Sequence, residues 1–426
     1  MKAGKTNLEE LQKAKKTTDD ELHAAKEAAA EAKRKAKDRK ATIEAHQGEI
    51  DQLKASVLEA NKIKEKYEEA KKQGTKYGDM VTKYNKLVGK HNNLIHHAIS
   101  LKKQVGALDG EARKLELLQR NLWDVPVDAS KVAPFRPLTK ASAAIIAVIN
   151  LKGGVGKTTL TANIGAAYCR LKDSNVLVVD LDFQASLTGL CVSADDFSAR
   201  KIGVDDILRN PAADVATLAF NNTVRTREPK MRVLSGSENL ANAEERSKAT
   251  WLMRSADWDV RCIFRRALHD PQFQKNFDVI LIDCPPRWTT ASINAIACCD
   301  YVLVPTILDR VSAEAVPRLL KWLRNLKTSS RELYGGFEVL GVIGNLAYPR
   351  AGLVAQEREI WLASPKKCEA AWLAPVHHFG TIINDKSEFR RAANHREFAA
   401  LHADLQPTFL SLLDEIEIRR SAHEGS

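Results

Sequence analysis

Residues 150–159 read Asn-Leu-Lys-Gly-Gly-Val-Gly-Lys-Thr-Thr, and they follow the apolar run Ala144-Ile145-Ile146-Ala147-Val148-Ile149. That run has the composition of a parallel strand buried on both faces, and residues 160–171 beyond the loop favour a helix. Between them, Gly153, Gly154 and Gly156 let the backbone turn so that consecutive N–H groups, Val155 included, face one anion. Lys157 places an ammonium between terminal phosphates, Thr158 offers a hydroxyl to Mg2+, and Thr159 completes the first helical turn. The stretch therefore predicts a nucleotide-phosphate loop between a strand and a helix. The strict pattern G-x-x-x-x-G-K-[ST] fails at its first position, where Leu151 stands, and a second lysine, Lys152, precedes the glycines.

Two more apolar runs end in acids, as strands lining a nucleotide site would. Val176-Leu177-Val178-Val179-Asp180-Leu181-Asp182-Phe183-Gln184 closes on two carboxylates, and Phe277-Asp278-Val279-Ile280-Leu281-Ile282-Asp283-Cys284-Pro285-Pro286 closes on one. Later come a run opened by Asp300, the stretch "VLGVIGNLAYPR" with Asn345, and "TIINDKSEFRRAANHREF".

The sequence K-G-G-x-G-K-T-T resembles the deviant Walker A motif of the ParA/MinD family of dimerising ATPases, and the other segments resemble that family's motifs in the same order. "DLDFQ" is similar to its D-x-D-P-Q stretch, with Phe183 for the proline, and "DVILIDCPP" to its Walker B segment. The resemblance covers about residues 142–418. It implies a doubly wound, mostly parallel α/β sheet with ATP at the carboxyl ends of the strands, and slow, partner-stimulated hydrolysis by in-line attack of water. It further implies that Lys157 contacts phosphate in cis while Lys152 reaches the partner's ATP across a homodimer. Asp182 would orient the attacking water, Thr158 and Asp283 would hold Mg2+, and Asn345 lies near a position that touches the base in some relatives.

The first 140 residues lie outside that resemblance. Counting sevens from Leu22 gives Leu22, Ala29, Ala36, Ile43, Ile50 and Val57, joined by Ala25, Ala32, Leu53, Ala60 and Tyr67. A second register runs through Met80, Leu87, Leu94, Leu101, Leu108, Leu115 and Leu122, joined by Tyr77, Tyr84, Ala98, Val105 and Ala112. This is coiled-coil patterning, interrupted at Gly74 and Gly78. The registers are equally long, so folding back at Gly74 would give an antiparallel hairpin roughly 65 to 70 Å long at 1.5 Å per residue; a rod pairing with another chain is the alternative. Arg39, His46, Lys64 and His91 occupy seam positions and weaken both. The expected organisation is a helical arm at 1–122, a linker at 123–141 with three prolines, and an ATPase domain at 142–426.

The arm holds 27 Lys and Arg against 19 Asp and Glu, most of the chain's net charge of +11. Such a balance fits a solvated surface or electrostatic attraction to nucleic acid. Seven cysteines without a C-x-x-C spacing fit neither a disulfide framework nor a zinc site and agree with a reducing cytoplasm. The pairs His96-His97 and His377-His378 lack companions for a metal. No run is long enough to span a bilayer, and the amphipathic stretch 409–418 is acidic, which favours packing on the core over an anionic membrane. The last tyrosine is Tyr348, which excludes the tyrosine-kinase relatives with their C-terminal tyrosine clusters.

Two functions follow from these expectations. One is a partition or positioning ATPase whose ATP dimer binds DNA without sequence preference, with Lys386, Arg390, Arg391 and Arg396 facing the duplex. The other is a signalling or scaffold ATPase, for instance in an anti-phage defence complex, whose arm docks a protein partner.

Overall fold

The apolar runs form a sheet. The computed structural model describes residues 46–69, 71, 78–119, 121–136, 138–139, 142–192, 203–211, 214–254, 256–347, 353–385, 387–395 and 397–424. Its strands are β1 (Ala144–Val148), β2 (Val176–Asp180), β3 (Thr223–Arg225), β4 (Met231–Leu234), β5 (Val279–Asp283), β6 (Tyr301–Ile307) and β7 (Glu338–Asn345). They lie in the order β3-β4-β2-β5-β1-β6-β7. Every pairing is parallel except β3 with β4.

Every residue of β1, β2 and β5 is buried, which explains why they read as unbroken apolar runs rather than as alternation. One face is covered by the helix Lys157–Leu171 and the terminal helix Gln406–Glu424. Their Leu160, Ile164, Phe409, Leu412 and Ile416 share a core with Ile146, Val178 and Leu281. The helix Thr290–Cys298 contacts β1, and the helix Arg310–Ser329 contacts β6. Two acids of the terminal helix are engaged by neighbouring segments: Glu415 accepts from the N–H groups of Gly380 (2.7 Å) and Thr381 (3.1 Å), and Glu417 accepts from the Tyr168 hydroxyl at 2.7 Å, while Asp414 stays exposed. Among the described residues no helix is long and apolar enough to cross a membrane. All seven cysteines are buried and free.

The chain divides into two compact units, residues 1–120 and 121–426. In the first, residues 46–69 and Gly78–Gln119 are helices. The two helices run antiparallel, because Tyr67 stacks on Tyr84 with centroids 4.4 Å apart, while Ala60 and Lys64 line one cavity with Leu87 and His91. Half-buried positions recur at Ile50, Leu53, Val57, Ala60 and Tyr67 on one helix, and at Tyr84, Leu87, His91, Leu94 and Ala98 on the other, ending at buried Leu101. Met80 departs from the expected seam: it is 39% exposed, and Val81 takes the inner position. Residues 22–45 and Gly74, on which part of the first register and the turn were read, lie outside the described residues.

The stretch 123–141, read as a linker, is held to the second unit by side chains spaced four apart, Arg261, Arg265 and His269. Arg261, fully buried, pairs with Asp259 at 2.6 Å and donates to the carbonyl of Val125 at 2.7 Å. Arg265 donates to the carbonyl of Ala133 at 2.8 Å. The His269 ring joins the carbonyl of Cys298 (2.7 Å) to the N–H of Arg136 (3.2 Å), and Arg136 grips both oxygens of Asp300 at 3.0 and 2.9 Å. Asp300 also accepts from the N–H of Ile145 in β1 at 2.8 Å. Proline-rich composition hid this, because the stretch is held by its carbonyls and by isolated apolar side chains such as Val125 and Phe135, which make no periodic pattern.

Burial, against the pull of the Cys298 carbonyl, lowers the His269 pKa to about 3. A neutral ring is therefore part of the fold: its contribution is complete above the unfolded value near 6.5 and is lost as pH falls from there toward 3. Stability measured by urea unfolding should fall with a slope of up to about 1.4 kcal/mol per pH unit below pH 6.5 from this group. His269→Gln, which cannot take up the proton, should flatten that slope; an unchanged slope would place the titration elsewhere.

Candidate nucleotide-binding site

β1 delivers the chain into residues 149–156, and the loop is fixed before any ligand arrives. Asn150, fully buried, donates to the carbonyl of Pro305 at 2.8 Å and accepts from the N–H of Lys152 at 2.9 Å. Gly154 and Gly156 hold φ of 76° and 79°, the left-handed region that glycine enters without strain. Gly156 caps the helix Lys157–Leu171, so the loop's N–H groups and the positive end of the helix dipole coincide.

Asn345, at the end of β7 and 3% exposed, donates its amide to the carbonyl of Val155 at 2.8 Å. A Cβ on Gly156 would lie 2.4 Å from that amide nitrogen, so the glycine is needed for the clamp as well as for its φ. The sequence reading set Asn345 near a position that touches the base in some relatives; in the structure its amide engages the loop.

Lys157 is buried, and its ammonium donates to the carbonyl of Lys152 at 3.3 Å. Burial lowers its pKa, while Asp283, Cys284 and Asp182 favour the charge. Lys152, Gly153 and Gly154 are exposed, Val155 is buried, and Thr158 and Thr159 are half-buried.

β2 and β5 are in register at Asp180 and Asp283, and β5 and β1 at Asp283 and Val148. The two carboxylates therefore stand side by side next to the strand that feeds the loop. Asp180 is satisfied: one oxygen accepts from the N–H and hydroxyl of Thr188 at 2.8 and 2.7 Å, the other from the N–H of Asp182 at 3.2 Å. Burial nevertheless pushes it up to about 6. Asp283 is different. It is 1% exposed and neither oxygen has a hydrogen bond of ordinary geometry among the described residues. Burial, then the charge of Asp180, raise its pKa well above the carboxylate range, with the Thr158 hydroxyl and Lys157 easing the charge. Asp182 is half-buried and accepts from the N–H of Gln184 at 3.1 Å.

An orphaned carboxylate beside a threonine hydroxyl and a phosphate loop fits Mg2+, an ion that takes one or two protein ligands and completes its shell with water and phosphate. Among the described residues no group of three His, Cys, Asp or Glu is placed to chelate a metal by itself. His377 pairs with Glu415 at 2.9 Å and His378 with Ser364 at 2.9 Å. Sequence reasoning found the loop and the acids but missed Asn150 and the buttressing role of Asp180. A polar residue closing an apolar strand was the available signal for both.

The AAA_31 family, described as an AAA domain, matches residues 143–333. The Bacillus subtilis sporulation initiation inhibitor protein Soj is 34% identical over 183 residues, which is 42% of this chain and 64% of that protein. The matched stretch therefore spans just under two thirds of that relative. The Thermus thermophilus chromosome-partitioning ATPase Soj is 27% identical over 286 residues, covering 66% of this chain and 98% of its own length. Among solved structures, apo McdA from Cyanothece superposes with a TM-score of 0.51 at 19% identity, over 64% of this chain and 99% of that one. That likeness is one of fold.

Asn345→Ala should release the carbonyl of Val155 and weaken nucleotide binding about tenfold, ~1.4 kcal/mol, in calorimetric titration. Affinity equal to wild type would mean the loop keeps its shape without the clamp.

Proposed function

We propose, for a chain that belongs to the ParA/MinD family of P-loop ATPases, an ATP-driven switch that closes as a homodimer around ATP and opens after hydrolysis, acting in DNA partition or in positioning a cargo. The observation that carries the dimeric part is Lys152. It is exposed on the loop, its backbone N–H and carbonyl are engaged by Asn150 and Lys157, and its ammonium makes no bond among the described residues. A long cation tethered at its base and unpaired at its tip, beside a phosphate loop, is placed to reach a second subunit's nucleotide. The relatives named for chromosome partitioning support the cellular reading.

The loop N–H groups and Lys157 bind the phosphates, and Thr158 and Asp283 hold the Mg2+ shell. The bound ion would supply neutralisation of phosphate charge. Asp182, on the loop after β2, orients the attacking water, and Lys157 with the partner's Lys152 stabilises charge that develops in the transition state. Asp180 fixes the Asp182 loop through the N–H of Asp182.

The helix pair of residues 46–69 and 78–119 supports a second reading, a scaffold ATPase in which these helices dock a protein partner. The two differ in DNA. Arg390 and Arg391 fall on the helix Ser387–Asn394, whereas Lys386 and Arg396 lie outside the described residues.

Lys152→Ala should bind ATP with near-wild-type affinity by calorimetry yet remain monomeric in light scattering, while Asp182→Ala should dimerise with ATP and release phosphate at least about tenfold more slowly. A Lys152→Ala chain that dimerises like wild type would remove the trans role. Duplex DNA bound with ATP and not ADP, and released as salt rises, is expected for the partition reading. Its absence at low salt, with partner capture lost on deleting residues 1–120, would favour the scaffold.

A further inference from the structure

The loop after β2 carries the acid assigned to water, β5 ends on the acid assigned to Mg2+, and one pair of side chains bridges the loops that follow the two strands. Phe183 follows Asp182 directly and is 40% exposed, a large ring at the surface where the related motif has proline. Arg287, also exposed, lays its guanidinium over that ring, 5.0 Å from the centroid. At an exposed site such a contact is weak, enough to bias a loop though not to hold a fold.

The backbone beneath Arg287 is fixed, because its carbonyl accepts from the Ser292 hydroxyl at 3.1 Å. The next residue, Trp288, stacks on Trp322 with centroids 3.4 Å apart and planes 18° from parallel. Trp322, on the helix Arg310–Ser329, meets Trp123 edge-on at 5.3 Å. Trp123 lies just past the first unit's last residue, Arg120, and beside Leu122, whose carbonyl accepts from Arg261. One run of ring contacts thus extends from the Asp182 loop to the first residues of the second unit.

We propose that Arg287 is a positioning residue for ATP hydrolysis: it holds Phe183, and with it the loop presenting Asp182, in a place set by Trp288, Trp322 and Trp123. The proposal rests on the hydrolytic reading above. Among the described residues the Asp182 carboxylate is bonded to an N–H of its own loop, so it points where residues 181–185 point. The inner side of that loop is pinned by Asp180; its outer side is pinned by Arg287 on Phe183. Releasing the outer pin spreads the carboxylate over more orientations and leaves the phosphate contacts intact, so the loss falls on kcat and not on KM.

The test is steady-state phosphate release by the full chain, with ATP affinity measured in parallel. Arg287→Ala should lower kcat by up to about fivefold with KM within about twofold, and Arg287→Lys, which keeps a cation for the ring, should recover most of the rate. Trp322→Ala should reproduce the loss from a distance, whereas Trp322→Phe, which preserves a stack, should not. Wild-type kcat in Arg287→Ala, or a change confined to KM, overturns the positioning role. Wild-type kcat in Trp322→Ala overturns the part played by the tryptophans. A wild-type chain that binds ATP and releases no phosphate removes the hydrolytic reading and this proposal with it, and is recognised before any variant is compared.

Discussion

Asp283 is an acid held at the end of a fully buried strand, beside a second one, and neither of its oxygens has a hydrogen bond of ordinary geometry among the described residues. Protein interiors tolerate such a group only when something offsets the lost hydration, on the order of several kcal/mol for an unpaired ion. The neighbourhood is arranged around that need. Lys157 comes off the first helical turn, Thr158 follows it, and the strand register brings both beside the acid. Asp180, equally buried, is fully hydrogen-bonded and serves as a strut for the Asp182 loop and for Thr188. Two acids in matching register thus do different work, and the difference lies in their hydrogen bonds.

The same economy governs the loop. A phosphate cradle must keep several N–H groups convergent while carrying glycines that cost conformational entropy to order. Asn150 from below and Asn345 from the side fix its carbonyls and N–H groups, so the entropy is lost on folding and not on binding. The side chain of Lys152 is exposed, and its ammonium makes no bond among the described residues.

The order of strand, loop, helix and acid-ended strands was legible because each is local: burial on both faces writes unbroken apolar runs, and the glycine spacing has few other uses. The helix pair was legible as two registers, yet Val81 replaced Met80 at the inner position because the periodicity alone does not fix where a helix begins its seam. What could not be read was anything depending on contacts far apart in sequence. Asn345 meets Val155, Arg261 meets Val125, and Arg136 meets Asp300 across 190, 136 and 164 residues. A stretch with three prolines showed no periodicity to suggest that its carbonyls would be gathered by buried arginines.

The claim that the buried, unpaired Asp283 exists to hold Mg2+ with the nucleotide is tested most directly by thermal unfolding of wild type and Asp283→Asn with ATP, in the presence and absence of Mg2+. Without nucleotide the variant should be at least as stable as wild type, because asparagine cannot ionise at a position where burial and Asp180 already oppose the charge. Mg2+ should add further stabilisation to ATP-bound wild type and none to the variant. Equal Mg2+-dependent stabilisation of both would contradict the account.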